Sequence, residues 1–440
     1  MTDIRYEAYK IIIKVLKKNL FSDKLLDNMQ KKNQASAADA GLLYALVKGV
    51  VKMHKNLDYI ASKYTDPKRF ENTSMKIKIL IYIAIYQLRY MDKIPEHAAV
   101  NESVKIAKKL FNNKVGNFIN AVLRGYLRNP EITYPEDTIQ SIALEYSFPE
   151  DLIEKWLELW GEIDCRILCE YYNETPKLSI RVNRFATEPG LLKKYFEKNG
   201  IKVEASIASK NVFTTLQVKD ALQDVSFSEG YYSVQDAAAA LVVELVDPQA
   251  NENNLDLFAA PGGKVTYTSE LMLNTGKVTA VDKFPVKIKK IKRAIERLQL
   301  SNIKTYAEDA FTFGPQVADY DRVLLDVPCS GWGVFQKKSE LRWQKNQDMK
   351  QLLKLQKRAL ETGARFVKPS GCLVYSTCTL NPEENEIQIK HFLDKHPEFT
   401  LFDASQMIEH RFVDNGMMRT LPFRDEIDGA FAVRMQKADE

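Results

Sequence analysis

Cysteine is scarce in this chain. There are five among 440 residues, at positions 165, 169, 329, 372 and 378. An odd, sparse set does not build a disulfide framework, and it suits a reducing compartment, so the sequence predicts a cytoplasmic protein. Histidine is equally scarce, at five residues, and no CxxC pair occurs, so no zinc site is expected. Cys165 and Cys169 share an amphipathic stretch and read as small residues on one helix face. Long apolar runs are also missing. Ile79 to Leu88 is flanked by Lys76, Lys78 and Arg89, and it falls far short of the roughly 20 residues of a membrane span. The opening residues, Met1-Thr2-Asp3-Ile4-Arg5, carry an early acid and no apolar stretch, so no secretory signal is expected. Internal repeats and low-complexity tracts are absent. At 45% hydrophobic and 28% charged, the composition excludes a disordered, collagen-like or membrane-embedded chain.

What is present is unevenly spread. The net charge is only +5, yet residues 1–130 hold 24 Lys and Arg against 11 Asp and Glu, while the other 310 residues hold 39 against 47. A basic first third on a slightly acidic body is the footprint of a polyanion-binding module joined to something else. Lys105, Lys108, Lys109, Lys114, Arg124 and Arg128 gather near the end of that third.

Periodicity divides the chain in three: 1–145, 146–235 and 236–440. The first part reads as all helix. Tyr6-Tyr9-Ile13-Leu16 and Leu42-Leu43-Leu46-Val50 recur at helical spacing, and Ile79–Tyr90 is apolar nearly all round, as a central buried helix would be. The second reads as a small α+β unit. Helices are expected at 152–172 and 188–199, the latter ending at Gly200, with short strands at 178–183, 201–207, 212–218 and 230–234. The third alternates strand and helix, with strands expected at 254–258, 277–281, 303–306, 322–326 and 371–376. That pattern predicts a mostly parallel sheet covered on both faces.

Ligands of such sheets bind beyond the carboxyl ends of the strands. The first strand runs into Phe258-Ala259-Ala260-Pro261-Gly262-Gly263-Lys264, whose small residues let a backbone approach a ligand. This is not the GxxxxGK[ST] pattern of a P-loop, so nucleotide hydrolysis is disfavoured. The second strand leads to Asp282, placed to take a pair of ribose hydroxyls. The third leads to Asp309, placed to meet an adenine edge. Together these point to an adenosine-containing cofactor, with NAD and S-adenosylmethionine both open at this stage. The fourth and fifth strands decide between them. One ends Asp326-Val327-Pro328-Cys329-Ser330-Gly331 and the other Ser376-Thr377-Cys378-Thr379, while Cys372 lies inside its strand and reads as core. A thiolate, a carboxyl group and a methyl donor side by side suit methylation of carbon 5 of a pyrimidine. The thiolate adds to C6 and pushes electron density to C5, and the base must be out of its stack to be reached. Spacing leaves Cys329 and Cys378 equally competent as the nucleophile.

These motifs resemble those of the Sun/Fmu group of RNA (cytosine-5) methyltransferases, and most of all its small-subunit ribosomal RNA branch, over nearly the whole chain. Asn381-Pro382-Glu383-Glu384-Asn385 and Tyr232-Ser233-Val234-Gln235-Asp236 are similar to stretches that flank the group's catalytic motifs. Ile94-Pro95-Glu96-His97-Ala98-Ala99-Val100-Asn101-Glu102 and Phe118-Ile119-Asn120-Ala121-Val122-Leu123-Arg124 resemble the NusB-like RNA-binding fold. The resemblance implies an all-α NusB-like domain, an α+β linker and a Rossmann-like catalytic domain using S-adenosylmethionine. It implies Cys378 as nucleophile, Cys329 assisting product release, Asp326 touching cofactor and cytosine, and Lys264 holding the polar network. The cofactor would lie along 258–264 and Asp282, Asp309 and Asp326. Ribosomal RNA is the implied partner, with Lys337, Lys338, Arg342 and Lys345 as a second phosphate-binding face and Trp332 or Trp343 available to stack on a base. A monomer fits this reading, and neither metal nor membrane is implied. Transfer RNA as substrate, DNA as substrate and a non-catalytic RNA-binding or antitermination factor are the competing readings. Phe258, Val265 and residues 332–340 depart from the group's usual pattern.

Overall fold

The computed structural model describes residues 3–18, 20–32, 36–314, 318–344 and 348–439. They form two compact units, Met1–Glu174 with Phe335–Lys345, and Thr175–Val334 with Asn346–Glu440.

The first unit is helical. Its longest early helix, Ala37–Ser62, begins where the Ser36 hydroxyl accepts from the Asp39 N–H, an N-cap that serves an otherwise orphaned donor. Met75–Tyr90 runs through the middle, and every residue from Ile79 to Ile85 is buried. The continuous apolar run is therefore a core helix, as its lack of a polar face requires. Ile4–Lys18, Glu96–Leu110 and Asn113–Arg128 present Ile12, Ile106, Ile119 and Leu123 to the same core. The sequence suggests a boundary at 145, but the unit continues through the helix Glu150–Asn173, interrupted at Gly161, where φ is +77°. Cys165 and Cys169 face that helix's buried side.

Residues 335–345 also belong to this unit. Phe335 meets the rings of Phe148, Trp156 and Tyr172. Glu340 accepts from the Ser22 N–H at 2.8 Å, and the Trp343 indole donates to the Val51 carbonyl at 2.9 Å.

The second unit holds two sheets. The smaller has the order β2-β3-β1-β4, all antiparallel, from Leu178–Val182 (β1), Glu204–Ala205 (β2), Val212–Thr215 (β3) and Tyr232–Val234 (β4). Ile180 and Val182 face this sheet's own core with Phe196 and Phe213, so alternation turns Arg181 the other way.

The larger sheet contains Asn253–Asp256 (β5), Lys277–Val281 (β6), Ile303–Tyr306 (β7), Tyr320–Asp326 (β8) and Val367–Thr377 (β9). Phe399–Phe402 (β10), Val413–Asp414 (β11), Met417–Thr420 (β12) and Ala430–Lys437 (β13) complete it. The order is β11-β12-β13-β9-β8-β5-β6-β7, with β10 paired to β13. Strands β5 to β9 are mutually parallel, and β13 lies antiparallel to β9. Leu325, Leu373 and Tyr375 bury one face with Leu360 and Phe366, while Leu324 and Val374 bury the other with Leu241 and Val243. The chain runs from β5 outward to β7, then returns to the other side of β5 as β8. The switch point therefore lies between β5 and β8, where a ligand cleft is expected.

Candidate active site

Every loop singled out in the sequence leaves the carboxyl end of a parallel strand. The turn after β5 is fixed by the Ala259 N–H, which donates to the Val281 carbonyl at 2.9 Å. Gly262 sits at φ +110°, and a Cβ there would lie 3.2 Å from Ile291, so the position combines a left-handed backbone with crowding. It caps the helix Gly263–Leu271, whose first N–H groups point out of the turn. Arg181 braces this helix from the smaller sheet. Fully buried, it donates to the Gly263 carbonyl at 2.8 Å, to Thr266 at 3.3 Å, and to the Gln235 and Glu270 side chains.

Beyond β6 and β7 stand the two acids. Asp282 is buried, accepts from the Phe284 N–H at 2.9 Å and lies 3.6 Å from the Lys287 ammonium. Asp309 accepts from the Phe311 N–H at 3.1 Å and pairs with Lys283 at 3.0 Å; the backbone donor first, then the lysine, hold its carboxyl below the ordinary range. The sequence reading missed a third acid, Asp256, at the end of β5. It is buried, one oxygen accepts from the Phe258 N–H, the other has no partner, and burial followed by the nearby Asp326 pushes it up to about 7. Its signal was available: an acid flanked by Leu255 and Leu257, two residues ahead of the loop.

Lys264 reaches across the switch point to Asp326, 2.7 Å from Oδ2, and the Ser376 hydroxyl donates to Oδ1 at 2.9 Å. Burial acts to lower the lysine, but Asp326, with Cys378 and Asp256 beyond, holds it above its ordinary value. The sulfurs of Cys329 and Cys378 stand 3.4 Å apart. Cys329 is pushed well above its ordinary range by that contact first, then by burial and by the charge of Glu384. Cys372 is buried within β9 as core.

Of the four residues expected to form a second basic face, Arg342 does not join it. Arg342 is 4% exposed, lies over the Phe148 ring, and donates to the Tyr172 carbonyl and Asn173 side chain at the end of their helix. Burial lowers it to about 9. Trp332 is buried, and Trp343 packs edge-on against His54, so both are packing residues. Lys338 is exposed and Lys337 half-buried, and Lys345 lies outside the described residues. By contrast Lys105, Lys108, Lys109, Lys114, Arg124 and Arg128 are all exposed. Among the described residues no group of three or more His, Cys, Asp and Glu side chains is placed to hold a metal ion, and no helix is long and apolar enough to cross a membrane.

A glycine turn feeding a helix, acids beyond the next two strands, and an unpartnered buried carboxylate oxygen fit a ligand with a ribose diol and a cationic methionine moiety. The second unit is thus a Rossmann-like, S-adenosylmethionine-dependent methyltransferase. Residues 243–436 match the family model for 16S rRNA methyltransferase RsmB/F, and residues 2–128 match that of the NusB family. The chain belongs to the RsmB/F family. It is 33% identical to the probable ribosomal RNA small subunit methyltransferase B of Synechocystis sp., covering 100% of both chains. It is 34% identical to the protein of the same name in Bacillus subtilis, covering 99% of both. The crystal structure of a methyltransferase homolog protein from Pyrococcus horikoshii superposes with a TM-score of 0.60 at 26% identity, over 69% of this chain and 100% of that one.

Proposed function

We propose that this enzyme methylates carbon 5 of a cytosine in RNA, most of all small-subunit ribosomal RNA, through a covalent adduct between Cys378 and C6. The observation that carries this reading is the pair of sulfurs 3.4 Å apart beside the Lys264–Asp326 pair. Methyl transfer to oxygen or nitrogen needs no thiol, let alone two at adjacent strand ends.

The two sulfurs meet different charges. Lys264 faces Cys378, whereas Glu384 faces Cys329. A cation beside a sulfur favours its thiolate and an anion disfavours it. This difference supports Cys378 as the nucleophile, a choice that spacing alone left open. Its thiolate adds to C6, forming the S–C6 bond and moving electrons toward C5 and N3. Asp326, held by Lys264 and Ser376, meets the polar edge of the cytosine, and a proton passed from this pair to N3, and taken back on release, balances that charge. When bound, S-adenosylmethionine supplies an electrophilic methyl that C5 takes up, leaving a neutral thioether. A base then removes the C5 proton and the S–C6 bond breaks, returning the Cys378 thiolate. Cys329, still carrying its proton, hydrogen-bonds the departing sulfur. The exposed cations between Lys105 and Arg128 support phosphate binding by the helical unit, and the names of the relatives support ribosomal RNA as the substrate.

The test is transfer of labelled methyl from S-adenosylmethionine to unmodified small-subunit ribosomal RNA, with transfer RNA and DNA alongside. Label recovered as 5-methylcytosine in the ribosomal RNA is the expected result. Label confined to transfer RNA would keep the chemistry and replace the substrate. No label with the cofactor bound would leave the non-catalytic reading standing.

A further inference from the structure

Glu384 has no part in the steps above, yet it is fully buried between the two cysteine loops. Four donors converge on its two oxygens. The Ser330 N–H gives 2.9 Å and the Gln356 amide 2.8 Å to Oε2, while the Asn381 amide at 3.3 Å and the Ser330 hydroxyl reach Oε1. Among the described residues no Lys, Arg or His pairs with it. A buried carboxylate satisfied only by neutral donors is costly, and a neutral side chain would be the cheaper way to fill the space.

Its partners show what the charge is used for. Ser330 adjoins Cys329, and its hydroxyl also meets the Thr379 hydroxyl at 2.7 Å, next to Cys378. Gln356 holds the Pro328 carbonyl at 3.1 Å, on the other side of Cys329. Asn381 lies just beyond the Cys378 loop, and the Tyr375 phenol donates to the Glu384 carbonyl at 2.7 Å from the strand that delivers Cys378.

We propose that Glu384 is a positioning residue for the reaction, one carboxylate that ties the Cys329 loop to the Cys378 loop and turns its negative charge toward Cys329. This rests on the cysteine roles proposed above and adds the group that keeps them apart. The groups facing Cys329 are the Cys378 sulfur, the Glu384 carboxylate and the Tyr375 phenol. With the first removed by Cys378→Ser, the second becomes the main charge on Cys329.

The test has two arms on the full chain. In the Cys378→Ser background, alkylation of Cys329 by iodoacetamide is followed against pH by peptide mass spectrometry. Adding Glu384→Gln should move its midpoint down by about one pH unit, whereas Glu384→Asp, which keeps the charge, should not. With both cysteines present, Glu384→Gln and Glu384→Asp should each slow single-turnover methyl transfer by about tenfold or more, with S-adenosylmethionine affinity within about twofold of the parent. An unchanged alkylation midpoint in Glu384→Gln, or unchanged transfer in either variant, overturns the proposal. If Glu384→Gln does not fold, transfer by Glu384→Asp decides alone. Failure of the parent enzyme to form 5-methylcytosine would overturn the proposed reaction while leaving the alkylation arm to judge Glu384 separately.

Discussion

Two thiols of the same type stand at the ends of neighbouring strands, and only their surroundings tell them apart. Cys378→Ala should lower methyl transfer by about a thousandfold or more while leaving cofactor affinity intact. Cys329→Ala should instead accumulate a covalent protein–RNA adduct, visible as a band that survives denaturing electrophoresis, because addition and transfer proceed while release stalls. The reverse pattern would exchange the roles. The positions of both cysteines, of Asp326 and of the glycine turn are legible in the sequence, since each follows a recognisable strand. The inequality proposed for them cannot be read from spacing, because it rests on the charges of Lys264 and Glu384, which lie outside the two cysteine motifs. Asp256 carries a second prediction. Its folded-state value is about 7 against an ordinary 3.8, so the folded chain binds the proton more tightly than the unfolded one. Stability from this group is therefore lost as pH rises through that window. Asp256→Asn should gain stability over the parent at pH 8 relative to pH 5, measured as a difference in Tm.

Among the elements, β6 and β7 match their sequence reading residue for residue, and the central helix follows from its apolar run. The four C-terminal strands carry no comparable signal. Ala430–Lys437 is buried along most of its length, so it shows no alternation, and it pairs antiparallel with β9, outside the regular strand–helix alternation that announces the parallel strands. Arg342 misleads for a related reason: a cation in a basic stretch reads as solvated, and only packing against Phe148 and a helix end reveals otherwise. At this scale the brace between the small sheet and the glycine turn makes a prediction. Arg181→Met leaves Glu270 buried without its partner, at a cost of about 3–5 kcal/mol in chemical denaturation. Arg181→Met with Glu270→Leu should recover much of that stability. It should not recover the KM for S-adenosylmethionine, because the Gly263 carbonyl still lacks the Arg181 guanidinium, although the Thr266 hydroxyl remains on it. Full recovery of both would make Arg181 a packing residue only.

For the whole molecule, the division of charge bears on how the proposed RNA substrate would bind. Neutralising phosphates releases counterions, so affinity should fall linearly on a log–log plot against salt. Replacing Lys108, Lys109 and Lys114 together by Ala should make that slope shallower by about 0.7–0.9 for every phosphate the variant no longer neutralises, with little effect on cofactor affinity. An unchanged slope would move RNA binding away from these helices.

The segment 335–345 gives the helical unit a history as well as a shape. Phe335, Glu340, Arg342 and Trp343 fill and cap a unit whose other residues end at 174. During synthesis those first 174 residues leave the ribosome well before the segment that completes them. At about 5–20 residues per second, the interval is on the order of ten seconds or longer. Until then the rings of Phe148, Trp156 and Tyr172 lack Phe335, and the end of the helix Glu150–Asn173 lacks Arg342. The nascent helical unit thus presents an aromatic surface awaiting its own chain, and a truncation before residue 335 would leave that surface open for good.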